Sequence, residues 1–156
     1  MHETALLEQL TEDIGIAHQL LELIDEEFAA LGNRDLAGLE AILTKKQPLL
    51  ALLGQHGAQR SQWLTGQHLT PDRNGLQAAV SGSPSGETIL EQARTLEAEL
   101  ESCRSANERN GRLIRANQSA LGSMLHILQG KDDTPDLYDN RGGASKSKQQ
   151  RPLSQA

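Results

Sequence analysis

The run Leu7-Glu8-Gln9-Leu10-Thr11-Glu12-Asp13-Ile14-Gly15-Ile16-Ala17-His18-Gln19-Leu20-Leu21-Glu22-Leu23-Ile24-Asp25-Glu26-Glu27-Phe28-Ala29-Ala30-Leu31 decides the fold. Leu7, Leu10, Ile14, Ala17, Leu21, Ile24, Phe28 and Leu31 recur at alternating spacings of three and four, which places all eight on one face of a helix. Gly32 follows as a stop, because glycine tolerates the left-handed backbone of a helix end. Asn33 can cap a next helix, with Asp35 in its first turn. A connection this short folds the second helix back antiparallel to the first.

The second helical pattern spans about residues 34–64, with Leu36, Leu39, Ile42, Leu43, Leu49, Leu50, Leu53 and Leu64 on its apolar face. Pro48 lies inside it, and a missing backbone donor predicts a bend near residues 44–48. Residues 66–86 are rich in Gly, Ser and Pro and form a connector. Within it Thr70-Pro71-Asp72 predicts a short helix with Thr70 as cap, Leu76, Ala79 and Val80 on its apolar side, and an end at Ser81-Gly82-Ser83-Pro84. The last pattern covers about residues 85–129. Its seam is Ile89, Ala93, Leu96, Leu100, Cys103, Asn107, Asn110, Ile114, Asn117, Leu121, Met124 and Leu128.

The expectation is an all-α protein: an elongated antiparallel bundle, or coiled coil, of long helices. Residues 1–130 form its helical domain and residues 131–156 a polar, flexible tail. The alternative is a loose three-helix coiled coil whose last helix projects free. The composition agrees. Leu dominates an apolar fraction of 37%, and Phe28, Trp63 and Tyr138 are the only aromatic residues among 156. Such a set fills narrow helix–helix seams better than a broad core.

Charge is distributed unevenly within a net −6. Residues 1–33 carry eight carboxylates and no Lys or Arg, while Arg104, Arg109, Arg112 and Arg115 crowd the last helix. The arginines are expected to answer the acids of the first helix, and the remaining acids to form a solvated face. Net negative charge without aromatic stacking platforms disfavours nucleic acid as a partner. No apolar run approaches the ~20 residues of a membrane span. Cys103 is the single cysteine and falls on the seam as a small buried hydrophobe. The five histidines have no metal-ligand spacing and are expected at the surface or rim. No strand precedes a phosphate-binding loop. These features point away from an enzyme and from any metal or other cofactor.

Two features exceed the needs of a bundle. Asn107-Glu108-Arg109-Asn110-Gly111-Arg112-Leu113-Ile114 breaks an apolar seam with two asparagines and a glycine. A seam Asn can fix register by itself, but an interior Gly costs about 1 kcal/mol relative to Ala. Further on, Leu137-Tyr138-Asp139-Asn140-Arg141-Gly142 carries the chain's one tyrosine in the polar tail. The Asn107, Asn110, Gly111 run with its aliphatic pair, together with this tail element, resembles the FlgN family of flagellar export chaperones.

The resemblance implies a cytoplasmic chaperone that binds hook-associated proteins of the hook–filament junction at their C-terminal helical segments and delivers them to the flagellar export gate. Leu113, Ile114, Leu121, Leu125 and Leu128 are the expected cargo-binding residues, and Tyr138 the expected docking residue for the gate's cytoplasmic domain. A homodimer is compatible with the pattern. A structural coiled-coil scaffold or self-assembling linker explains the heptads equally well, but neither the Asn-Asn-Gly interruption nor the tail element.

Overall fold

The computed structural model describes residues 1–128, the side chains of Leu121, Leu125 and Leu128 excepted. Four helices follow one another: α1 (Glu3–Asn33), α2 (Leu36–Gly66), α3 (Arg73–Ala79) and α4 (Gly86–Leu128). The fold is all-α, as the apolar periods require. At 1.5 Å per residue α4 alone is about 65 Å long.

α1 is the central helix. It packs against both α2 and α4, whose backbones stay apart from each other. Gln9 meets Gln59 and Glu27 meets Lys46, so α2 runs antiparallel to α1. Cys103 Sγ lies 3.4 Å from the Ala17 carbonyl oxygen and Asn110 donates to Ile24, both at a separation of 86 residues, so α4 runs parallel to α1. Carried to Asn33, that separation sets Ser119 level with the end of α1. The last nine residues of α4 therefore extend about 13 Å beyond the α1–α2 turn.

Serving two neighbours shifts and widens the buried face of α1. Leu6, Leu10, Asp13, Ile16, Ala17, Leu20, Ile24 and Ala30 are buried, while the expected seam residues Leu7, Ile14, Leu21 and Leu31 are only half-buried and Phe28 is 40% exposed. Two apolar clusters result. Leu6, Leu10 and Ala17 join Leu76, Val80, Ile89 and Leu96 at one end. Ile16, Leu20 and Ile24 join Cys103 and Ala106 further along, with Leu49, Leu50, Leu52 and Leu53 of α2 packed on them. The α4 seam keeps its expected face as far as Asn110, although Leu100 lies at its rim.

The helix ends differ from expectation. Gly32 stays helical, and Arg34 takes the left-handed conformation (φ 56°) that closes α1. Asp35, not Asn33, caps α2, accepting the Gly38 N–H at 2.9 Å. Pro48 sits within an unbroken α2: the apolar period on both sides holds the helix together across the lost hydrogen bond. α3 is capped by Asp72 rather than Thr70. Asp72 accepts the Gly75 N–H, and the Thr70 hydroxyl donates to Asp72 and orients it. A carboxylate outcompetes the hydroxyl because a charged acceptor bonds the free helix N–H groups more strongly. Arg73 pairs with Glu97 and ties α3 to α4, while the Ser83 hydroxyl bonds Glu3 at the start of α1.

Candidate functional site

The Asn-x-x-Asn-Gly run lies where α4 passes the second half of α1, and all three marked residues are buried. Asn110 has no exposed surface. Its Nδ2 donates to the Ile24 carbonyl and to Glu27 Oε1, each at 2.8 Å, and its Oδ1 accepts from Arg109. Arg109 also bonds Asp25 at 2.9 Å and stacks over Phe28, 4.1 Å from the ring centroid. Asn107 is 2% exposed, and neither its amide nitrogen nor its amide oxygen has a hydrogen-bond partner. Asn117, Leu113 and Ile114 are half-buried one to two turns further on.

Glu27 connects this node to α2. Lys46, only 2% exposed, places its ammonium 3.7 Å from Glu27. Asp13 forms a second polar rung fourteen residues earlier and has no exposed surface. Arg60 Nη1 reaches Asp13 Oδ2 at 2.6 Å, and His56 Nδ1 reaches Oδ1 at 2.5 Å. Arg60 also bonds Gln9. The acids of α1 thus do not all form a solvated face, and the cations that meet Asp13 and Glu27 come from α2 rather than α4. Of the four arginines expected to pair with α1, Arg109 does so, Arg104 pairs with Glu101 of its own helix, and Arg112 and Arg115 are exposed. Likewise His56 is core, not rim.

A sequence signal for these rungs existed. Asp13 and Glu27 fall two heptads apart at inward positions of α1. Lys46 and Arg60 fall two heptads apart on the α2 stripe of Ile42, Leu49, Leu53 and Leu64. Matching spacings of opposite charge on antiparallel helices specify one register, because a slip of seven residues sets a leucine against a buried carboxylate.

Five of the seven exposed large apolar side chains among the described residues lie toward one end, Met1 and Leu100 being elsewhere. Phe28 (40% exposed), Leu36 (76%), Leu43 (40%), Met124 (55%) and Ile127 (75%) all lie where α1 closes, α2 begins and α4 runs on. Leu121, Leu125 and Leu128 stand on the last stretch of α4 with their side chains outside the described set, and Tyr138, with the tail expected at 131–156, lies outside the described residues. At the other end, Leu6, Leu10, Trp63, Leu64, Leu76 and Leu100 help line a cleft of about 250 Å³ where all four helices meet. Among the described residues no group of His, Cys, Asp and Glu could hold a metal ion, and no helix is long and apolar enough to cross a membrane. Cys103 is buried in the seam. Burial pushes its thiol pKa up, and nearby Glu99 acts in the same direction.

Residues 1–146 match the family model described as FlgN protein. The fold matches a crystal structure described as a flagella synthesis protein, FlgN, from Pseudomonas aeruginosa, with 41% sequence identity and a TM-score of 0.69. The match covers 82% of this chain and 98% of that one. No curated relative matches the chain.

Proposed function

Because the chain belongs to the FlgN family, we propose that it serves flagella synthesis as a cytoplasmic export chaperone, holding hook-associated proteins unassembled by their C-terminal helical segments and delivering them to the export gate. One observation carries the reading. At the end of the molecule where α4 runs past its packing partners, Met124 and Ile127 of α4, Phe28 of α1 and Leu36 and Leu43 of α2 are exposed. Exposed apolar surface gathered in this way marks an interaction site, and a projecting helix with an apolar side suits an amphipathic helical partner. Leu113 and Ile114 lead into this surface from the half-buried side. Leu121, Leu125 and Leu128 share their helix and complete the proposed cargo-binding set.

The cargo is a segment that must later assemble, so the chaperone needs contact without chemistry. Binding by apolar side chains covers the segment and lets it go when the gate competes for it. Tyr138 is proposed as the gate anchor, having a large apolar ring, a hydroxyl and few rotors to freeze.

Met124→Asp with Ile127→Asp tests the cargo site, because both side chains are exposed and their loss leaves the core intact. Calorimetry against the C-terminal helical segment of a hook-associated protein should show at least a tenfold loss of affinity with an unchanged melting temperature. Equal affinity overturns the assignment, and self-association without capture of the segment indicates a scaffold instead. Tyr138→Ala should leave that affinity intact and weaken binding of the loaded chaperone to the gate's cytoplasmic domain.

A further inference from the structure

α2 is fastened to the molecule differently from α4. α4 meets α1 through an apolar seam broken by the asparagines. α2 has 31 residues, of which Ile42, Lys46, His56 and Leu64 are buried. Two of these four are the polar side chains that answer Glu27 and Asp13. α2 does not pack its backbone on α4, joins α1 through a two-residue turn, and contains Pro48. Asn107, on the inner face of α4 one turn beyond Cys103, leaves both amide atoms without partners. The surface of α1 beneath α2 is thus a platform with two acidic rungs two heptads apart.

We propose that α2 is an exchangeable strap. An amphipathic helix carrying two basic side chains two heptads apart on its apolar face takes α2's place on the α1–α4 pair, its cations taking over Asp13 and Glu27. Charge complementarity selects this occupant, because a wholly apolar helix would leave the buried Asp13 without a cation and the nearly buried Glu27 with only the Asn110 amide. The registers of α4 and α2 on α1 set the exposed Met124 and Ile127 at the same level along the axis as the start of α2, the end from which a captured helix would advance onto the platform. In identifying the occupant with an export segment, the proposal rests on the chaperone reading. The releasable strap itself does not.

The test uses the full chain and two probes. Hydrogen exchange of the free protein should show residues 36–66 opening as a unit at least tenfold more often than residues 6–30 and 89–111. Uniform protection overturns the strap. Gln9→Cys with Gln59→Cys, joined by a short dithiol-reactive cross-linker that replaces the length of the two glutamine side chains, staples α2 to α1 at a pair whose amide ends meet at 2.7 Å. The first probe is a synthetic peptide of residues 34–67, a surrogate with the stated charge spacing. It should bind the variant before cross-linking and lose at least tenfold in affinity after it. The same peptide with Lys46→Gln and Arg60→Gln should bind at least tenfold more weakly. Equal binding in either comparison overturns the exchange. The second probe is the C-terminal helical segment of a hook-associated protein, which should displace the peptide. Simultaneous binding of both overturns the shared seat. Failure of the segment to bind the unmodified chain removes the chaperone reading, and the peptide and hydrogen exchange then decide the strap alone.

Discussion

Arg60 grips Asp13 from across the α1–α2 hairpin, Nη1 to Oδ2 at 2.6 Å, at a carboxylate with no exposed surface. His56 completes the rung on the other oxygen. Removing one partner from a buried pair leaves a desolvated charge behind, which costs about 3–5 kcal/mol. Arg60→Met should approach the lower end of that range, because His56 still serves Asp13. Replacing all three, with Asp13→Leu, His56→Leu and Arg60→Met, should restore or exceed the original stability. Urea titrations of the single and triple variants check both signs.

Asn107 and Asn110 are one turn apart and should respond in opposite ways. Asn110 is bonded on both amide atoms, so Asn110→Leu strands Glu27 and Arg109 and should cost about 1–2 kcal/mol. Asn107 has two unpartnered amide atoms, so Asn107→Leu removes a desolvation cost and should raise stability by about 1 kcal/mol. Chemical denaturation of the two variants provides the comparison. A destabilised Asn107→Leu would refute the idea that its amide is unsatisfied.

The cap of α3 is pH-dependent in a definite direction. The Thr70 hydroxyl, then the Gly75 N–H, hold the Asp72 carboxyl below its ordinary value. A depressed carboxylate contributes stability above its unfolded pKa and loses it as pH falls through the folded one. Carbon-detected NMR titration should find Asp72 returning toward the usual range in Thr70→Val. Gly75→Ala should break the same cap more severely, because a Cβ there runs into the Thr70 carbonyl.

Cys103 should resist thiol reagents in the native state and react fully in urea. Its thiol is buried beside the Ala17 carbonyl and its pKa is raised by that burial. The sign for folding follows. The unfolded thiol ionises first, so the contribution is intact below the ordinary thiol pKa and is lost as pH rises toward the folded value. Alkylation rates against pH, with and without denaturant, check both statements.

The helical class, the hairpin between the first two helices and the buried α4 stripe from Ile89 to Asn110 were legible because each depends on a local period of apolar residues. The Asn-Asn-Gly run was legible as an interruption, though not as a polar node. Helix ends were read one to two positions off, since Gly32 or Arg34, and Asn33 or Asp35, are near-equivalent until the chain direction beyond them is known. What one chain of letters could not decide is which helix answers which. Charge alone paired the acids of α1 with the arginines of α4. Asp13 and Glu27 turned instead to His56, Arg60 and Lys46 of α2. The sequence by itself determined four helices and the spacing of their apolar and charged rungs, because these are properties of one helix at a time. Only the tertiary structure decided that α1 lies between two neighbours. Burial from both sides is what rotates its inward face past Phe28, draws Asp13 into the core and covers most of Glu27.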